Sequence, residues 1–446
     1  MSAITSKPRF TPSRRALLLG GAGFGALTLA GCGGFVNDDD DGGGSGGESG
    51  SGAGGGTVTA YLSTEQNTGI EPLVEPFTAD SGVELDITSV AVPDMNQQLA
   101  VQLSSGTAAD IFRVSPGYSS NVAAGVLGSG GDLLDLSDAA WAASIDDGTR
   151  ALSDVDGKTF AFPVARNSLV LAYNLAVFDE LGLEPPTTWT ELLDVCQALT
   201  DSGRTAISHG LSGGAIYLQF YVYILAGTLL YGPNPDLDAQ MRAGETSFTD
   251  EPGWTEVFTK YLELRDKGYF TEGALGVSPD QAMQDLATGV AGMTVLTNSG
   301  LPALYEYSET GAEAFSILAM PAGDDAEATL IPTAPDFLAV NAAATNPDGA
   351  RALLEFLAEP ANVETYANAL AVLPGLDVGA QVDNPALEPV LPLVDAGRTV
   401  SYANYLWPNG DVQQTMLQSG QQLYADEITI ADLLAQMDAE YAKGTP

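Results

Sequence analysis

The chain has 446 residues, 45% of them apolar, with 58 acidic against 16 basic side chains and a net charge of −42 at neutral pH. That length exceeds one ordinary core and suits two lobes, and the apolar content is enough to bury them. So negative a chain repels phosphates, which excludes nucleic acid as a partner.

Residues 1–31 carry Lys7, Arg9, Arg14 and Arg15, no acidic residue, and a Gly-interrupted apolar run from Ala16 to Ala30. This is the pattern of a targeting segment, a signal peptide. The run is too short and Gly-rich for a membrane span, and Arg14-Arg15 after Ser13 points to twin-arginine (Tat) export over the Sec route. Leu29-Ala30-Gly31-Cys32 resembles a lipobox, in which cleavage leaves Cys32 as the lipidated N-terminus. Acyl chains there would add on the order of 0.8 kcal/mol of membrane affinity per buried methylene, anchoring the exported protein to the outer face of the cytoplasmic membrane. The alternative is a signal peptide cut elsewhere. The rest of 32–56 is a Gly/Ser stretch with Asp38 to Asp41, unable to bury a core and read as a flexible tether. Asn37, Asp39, Asp41, Gly42 and Glu48 approach calcium-loop spacing, but no flanking helices are possible, so no metal site is expected.

The folded part opens with the alternating strand Thr57 to Leu62 and the loop Ser63-Thr64-Glu65-Gln66. In α/β sheets, loops beyond strand carboxyl ends meet ligands. Glu65 and Gln66 are therefore site candidates, against the alternative of a helix-leading loop. A helix over 69–79, a strand over 83–87, a helix with Met95, Leu99 and Leu103 on one face, and a strand over 109–114 continue the alternation. Asp110 reads as a structural hydrogen-bonder, and Tyr118 in the following loop either lines a cleft or caps the next helix. Strand alternating with helix implies a largely parallel sheet covered on both faces.

Val155 to Leu193 reads as the crossing between lobes. Asp156-Gly157-Lys158 supplies the positive φ angles of a reversal, and Ser168 to Tyr173 is a short apolar strand of the kind buried on both faces. Leu175, Phe178 and Leu181 recur at helical spacing, Gly182 stops that helix, and Thr188 with Glu191 forms a capping box for the next one. Arg166 earns candidacy by lying just after Pro163 at the crossing; its alternative is an inter-lobe ion pair.

Beyond the crossing, Ile216 to Tyr231 is apolar and aromatic, most of it core. Trp254, Val257, Phe258 and Tyr261 form an amphipathic face. A helix from Pro279, a strand over 290–295 and a loop over 297–301 follow. Ile331 to Val340 is a further strand, and Asn346 caps a helix from Pro347 to Leu357. The tail holds Trp407, Pro408 and Asn409, then a helix through Met416 and Leu423, and a last helix opened by a Thr429–Asp432 box.

Asp156-Gly157-Lys158, Phe162-Pro163, Tyr173-Asn174, Phe178, Gly182 and Pro186-Thr187-Thr188-Trp189 together resemble the extracellular solute-binding proteins that feed ABC importers, in particular the sugar-binding branch with the maltodextrin-binding proteins. Asn346-Pro347, Glu359-Pro360-Ala361-Asn362 and Leu373-Pro374 extend the resemblance, which covers most of 57–440. It implies a two-lobe α/β fold of the periplasmic-binding-protein type II, each lobe a mostly parallel sheet flanked by helices, with 57–165 plus 341–375 as lobe I and 166–340 plus 376–446 as lobe II. It implies a monomer that captures a mono- or oligosaccharide between the lobes and presents it to the permease subunits, without cofactor or catalysis. With the candidates read from strand ends and the crossing, the expected ligand set is Glu65, Gln66, Tyr118, Arg166, Tyr217, Asn298, Trp407 and Asn409. Tyr217 follows Gly213-Gly214, where relatives present an aromatic to the cleft; Trp407 lies in a tail segment where relatives do the same. Leu301 stands near a point where many sugar binders carry Trp.

Other chemistry finds little footing. His209 is the sole histidine, which rules out His-rich zinc clusters, and no nucleophile elbow or Walker loop is present. Cys196 lies on an apolar helical face and reads as a buried structural thiol. Three alternatives stay open: the same fold binding a non-sugar solute such as a polyamine or amino-acid derivative, a surface carbohydrate-active enzyme with paired cleft carboxylates, and an adhesin without a cleft.

Overall fold

A computed structural model describes residues 55–444. The targeting segment, the lipobox with Cys32, the calcium-loop-like stretch and nearly all of the tether lie outside these residues. Among the described residues no helix is long and apolar enough to cross a membrane.

Among the described residues, twelve strands follow in chain order. They are β1 (Gly56–Ser63), β2 (Val83–Val90), β3 (Ile111–Val114), β4 (Asp154–Val155), β5 (Lys158–Thr159), β6 (Phe162–Asn174), β7 (Thr205–Ser208), β8 (Ala291–Thr297), β9 (Phe315–Leu318), β10 (Ile331–Val340), β11 (Leu373–Pro374) and β12 (Thr399–Ser401). The main sheet runs β2-β1-β3-β10-β6-β8-β7, with β9 and β11 also on β6 and β12 on β10. Parallel pairing holds for β1 with β2 and β3, for β7 with β8 and for β10 with β12. The sheet is therefore more mixed than the helix–strand alternation predicts. The reason is that β6 and β10 run in opposite directions between the lobes and pair antiparallel with each other and with β3, β8 and β9.

The crossing strand is longer than Ser168 to Tyr173. Its first half pairs with β10, and Leu169 to Tyr173 pair with β8. Period-two alternation sends successive side chains to different cores. Leu169, Leu171 and Tyr173 join one core, while Val170 and Ala172 join another. In β1, Val58, Ala60 and Leu62 face a third core and Tyr61 faces the first. Burial on both faces is why these strands are near-continuously apolar.

Local signals explain the joints. Asp156 and Gly157 take φ of 51° and 77° between β4 and β5, as the hairpin reversal requires. Gly182 takes the left-handed stop after Leu175–Leu181, and the Thr188–Glu191 capping box opens Trp189–Asp201. The first helix starts earlier than 69, at Thr64, because Ser63 caps it.

Asp110 ties β1, β3 and the helix Pro347–Leu357 together. Its carboxylate accepts from Thr59 N at 2.9 Å and Thr59 Oγ1 at 2.8 Å, and from the Thr345 hydroxyl and the Thr345 and Asn346 amides. Burial pushes its carboxyl up, but the hydrogen bonds from Thr59 and Thr345 outweigh it and hold the group below the ordinary value. Removing the carboxylate strands several buried donors, so Asp110→Ala is expected to cost about 3 kcal/mol in urea unfolding. The sign of the pH effect follows from the lowered value. The stabilisation is full above the unfolded-state value of about 3.9 and is lost as pH falls through the folded one. Asp110→Asn is expected to flatten the acid limb of stability against pH; an unchanged limb would remove Asp110 from this role.

Candidate functional site

Between the lobes lies a cleft of about 1130 Å³. Its floor is the crossing itself, with Ala165 and Asn167 of β6 and Ala334, Pro335 and Asp336 of β10. Arg166 and Asn167 are the only residues of β6 that are not fully buried. One wall comes from the carboxyl ends of β1 and β3, through Ser63, Glu65, Arg113 and the loop Tyr118 to Asn121. The facing wall comes from Gly213-Gly214, the helix Ile216–Ala226 and the end of β8. A third side is the tail, with Tyr402, Tyr405 and the start of the helix Gly410–Tyr424.

The lining is mainly neutral and polar. Twelve of its side chains are Ser, Thr, Asn or Gln, three are carboxylates (Glu65, Asp336, Asp411) and one is arginine. Phe220, Tyr118, Tyr366, Tyr402 and Tyr405 add aromatic surface, and the rings of Tyr402 and Tyr405 stack with centroids 5.3 Å apart and planes 17° apart. At the floor Arg113 Nε donates to Asp336 Oδ1 at 3.1 Å. Burial raises the Asp336 carboxyl further than Arg113 lowers it, so its charge is held at a cost. Three lining residues carry a buried polar atom with no partner among the described residues: Asn167 Oδ1, Tyr366 Oη and Tyr402 Oη. An unpartnered buried polar atom costs roughly 1–3 kcal/mol.

The structure brings three of the eight sequence-predicted ligand residues to this cleft: Glu65, Tyr118 and Asn409. Asn409 has its side chain already engaged. Its Oδ1 accepts from the Asp411 and Val412 amides as a helix cap, and its Nδ2 donates to Gly444 O. The other five lie elsewhere, each for a packing reason. Gln66 is fully buried in a reciprocal cap. Its amide donates to Ser63 Oγ at 3.1 Å and its Oε1 accepts from Ser63 N at 3.2 Å. The spacing Ser63-x-x-Gln66 is a capping-box signature and could have revealed this. Tyr217 is buried because Ile216, Gln219 and Phe220 share the cleft-facing side of their helix, while Tyr217 and Tyr221 turn to the core. Asn298 is buried too, accepting from Ser168 N and donating to Ala371 O, both at 2.7 Å; its neighbours Thr297 and Ser299 line the cleft instead. Arg166 Nε donates to Pro374 O at 3.0 Å, and its guanidinium lies 3.6 Å from Asp146, the ion-pair alternative. Trp407 is wholly buried, its ring 5.2 Å from Phe248 and 6.1 Å from Trp254. The tail does supply aromatics to the cleft, but two and five residues earlier, as Tyr405 and Tyr402.

Sequence reasoning missed Asn167, Phe220, Tyr366, Tyr402 and Tyr405. Helical spacing from Ile216 could have found Phe220; no local pattern marks the others. His209 lies outside the cleft, fully buried, with Nε2 2.8 Å from Tyr261 Oη. Burial pushes its imidazole down to about 3, so it stays neutral near pH 7. Cys196 is buried and has no disulfide partner among the described residues, its thiol raised by the same effect.

Comparison with known proteins places this geometry. A profile of the family described as bacterial extracellular solute-binding protein matches residues 72–392. A binding protein of Brucella abortus (strain 2308) is 24% identical over 253 residues, 54% of this chain and 56% of that protein. The chain thus spans little more than half the length of that curated relative. A family 1 extracellular solute-binding protein from Bifidobacterium longum subsp. infantis superimposes with a TM-score of 0.68 at 23% identity, over 87% of this chain and 99% of that one. A chitin oligosaccharide binding protein does so with a TM-score of 0.73 at 19% identity, over 87% and 98%. The likenesses show a two-lobe solute-binding fold.

Because Trp407 is a core residue, Trp407→Ala is expected to cost about 3–5 kcal/mol in urea unfolding. Phe220→Ala, at a half-buried ring on the cleft wall, is expected to cost less than half as much. Equal and small losses would place the indole outside the core.

Proposed function

Because the chain belongs to the bacterial extracellular solute-binding proteins, we propose that it captures a carbohydrate between its lobes and delivers it to the permease of an ABC importer. The observation that carries this reading is the set of buried lining atoms without protein partners. Asn167 Oδ1 can only accept, whereas the Tyr366 and Tyr402 hydroxyls can donate or accept. A polyol offers both functions from one group, and a sugar adds an apolar ring face for the Tyr402–Tyr405 stack. Three carboxylates among the 33 lining residues are fewer, in proportion, than 58 in 446, so the cleft is not enriched in acid as a polyamine site would be. Glu65, Asn167, Tyr366, Tyr402, Tyr405 and Tyr118 form the ligand set of this proposal.

In this reading 57–165 plus 341–375 act as one lobe and 166–340 plus 376–446 as the other. Ligand contacts from both walls stabilise the closed arrangement, which lets the permease tell a loaded receptor from an empty one. Export by the Tat route, a lipid on Cys32 and the 32–56 tether would keep a monomeric receptor at the outer face of the membrane.

A thermal-shift panel of mono- and oligosaccharides, polyols, polyamines and amino acids tests this on the chain lacking residues 1–50, with product analysis of each hit. A ligand that binds only the folded state adds about 2.7 kcal/mol at a hundred times its Kd. The expected result is stabilisation by a sugar recovered unchanged, weakened at least tenfold in affinity by Asn167→Ala. Turnover of the sugar would point to an enzyme. Stabilisation by polyamines alone would move the ligand class to cations.

A further inference from the structure

We infer that Gly117 and Gly410 are positioning residues of the solute site: together they let the 402–411 tail segment lie against the 115–121 loop at the rim of the cleft. Affinity would then be set in part by two residues that offer the solute no side chain. The two segments touch backbone to backbone, with Tyr118 N donating to Tyr405 O at 3.0 Å. A Cβ at Gly117, whose φ is +57°, would stand 2.2 Å from that same Tyr405 oxygen. A Cβ at Gly410 would stand 2.6 Å from Ser119 O and 3.3 Å from the Ser120 Cα. The obstacles are main chain on both sides, so no side-chain rotation relieves them. Gly125 supports the loop from its own lobe, where a Cβ would lie 2.7 Å from Gly117 O.

The contact joins parts anchored in different places. The loop follows β3. The tail segment is held on the other side of the cleft by Trp407 against Phe248, and its helix meets Ile216–Ala226 through Gln413 and Gln219. Between β12, which pairs with β10, and Trp407 it carries Tyr402 and Tyr405 into the cleft. Added bulk at either glycine pushes the segment outward and takes the stacked rings with it. Gly131 is the natural control, since it too has a positive φ (+82°) but nothing among the described residues within 4 Å of its Cβ position.

The clasp itself stands apart from the carbohydrate reading; its effect on affinity rests on that reading. Hydrogen exchange by mass spectrometry on the full chain tests the clasp without ligand. In Gly410→Ala, peptides covering 115–121 and 402–409 are expected to exchange at least tenfold faster together, with β1 and β7 unchanged. Gly125→Ala is expected to do the same by displacing the loop, and serves if Gly410→Ala does not fold; Gly131→Ala is expected to leave both segments as they are. Acceleration in one segment alone, in neither, or uniformly along the chain overturns the clasp. The positioning role is read by calorimetry with raffinose, stachyose and diacetylchitobiose. A sugar that binds the wild type is expected to bind Gly410→Ala at least fivefold more weakly, through faster dissociation, and Gly131→Ala equally well. Equal affinity in Gly410→Ala overturns the positioning role. Silence of all sugars towards the wild type counts against the carbohydrate reading and leaves exchange to decide the clasp.

Discussion

Six residues of β6 pair antiparallel with six of β10, and both lobes depend on that ladder. β6 continues from it to β8 and β9, and β10 continues to β3, so neither lobe's sheet is complete without a strand of the shared pair. Every residue of β10 is buried, which leaves no polar face on which the strand could slip by one position. The register shift between Asp336 and Phe337 changes which face the alternation serves. Ala334 shares a core with Phe337 and Ala339, while Leu338 and Val340 belong to the other core. Such a bulge re-aims side chains, and here it leaves Asp336 on the cleft floor beside Arg113 while Phe337 enters the core.

The cleft is polar because of where it lies. Strand ends and helix starts expose main-chain groups that a dry interface would have to satisfy, and the crossing strands form the floor between them. Gly213, Gly214 and Ala215 all take positive φ at the start of the Ile216–Ala226 helix, so the wall there is built from positive-φ backbone, with no side-chain hydrogen bond capping the helix. Ala215 pays a steric penalty that glycine would not, which local packing must over-determine; it is itself fully buried. Apolar rings and neutral amides then share the lining, a mixture suited to a ligand with one apolar face and many hydroxyls.

Local chemistry in the chain was enough to place much of the frame. The Asp156-Gly157 reversal, the Gly182 stop, the Thr188–Glu191 and Thr429–Asp432 caps and the Asn346 cap all act over four residues or fewer, and a chain written in order displays them. Resemblance along 155–193 added the crossing. Site residues were harder because cleft or core is decided by a rotation of about 100° per residue on a helix, or by a shift of two in an irregular tail. Tyr217 and Phe220 differ only in which side of one helix they occupy. Trp407 and Tyr405 differ in whether Phe248 and Trp254, some 150 residues earlier, leave room for a ring. Gln66 was the exception, since its capping spacing with Ser63 was open to view.

The strong negative charge bears on the ligand through what it does not disturb. A chain of net charge −42 carries a negative field that is screened over roughly 8 Å at physiological salt and still reaches the mouth of a surface cleft. An anionic solute would meet that field on approach and then find a single arginine, already paired with Asp336, to receive it. A cation would be drawn in, yet the lining holds proportionally fewer carboxylates than the chain as a whole. A neutral polyhydroxylated solute feels no net force from the field at any salt concentration and is recognised by dipoles at short range. The same surface charge can therefore serve solubility, or tolerance of high salt, without opposing capture, provided the solute is uncharged.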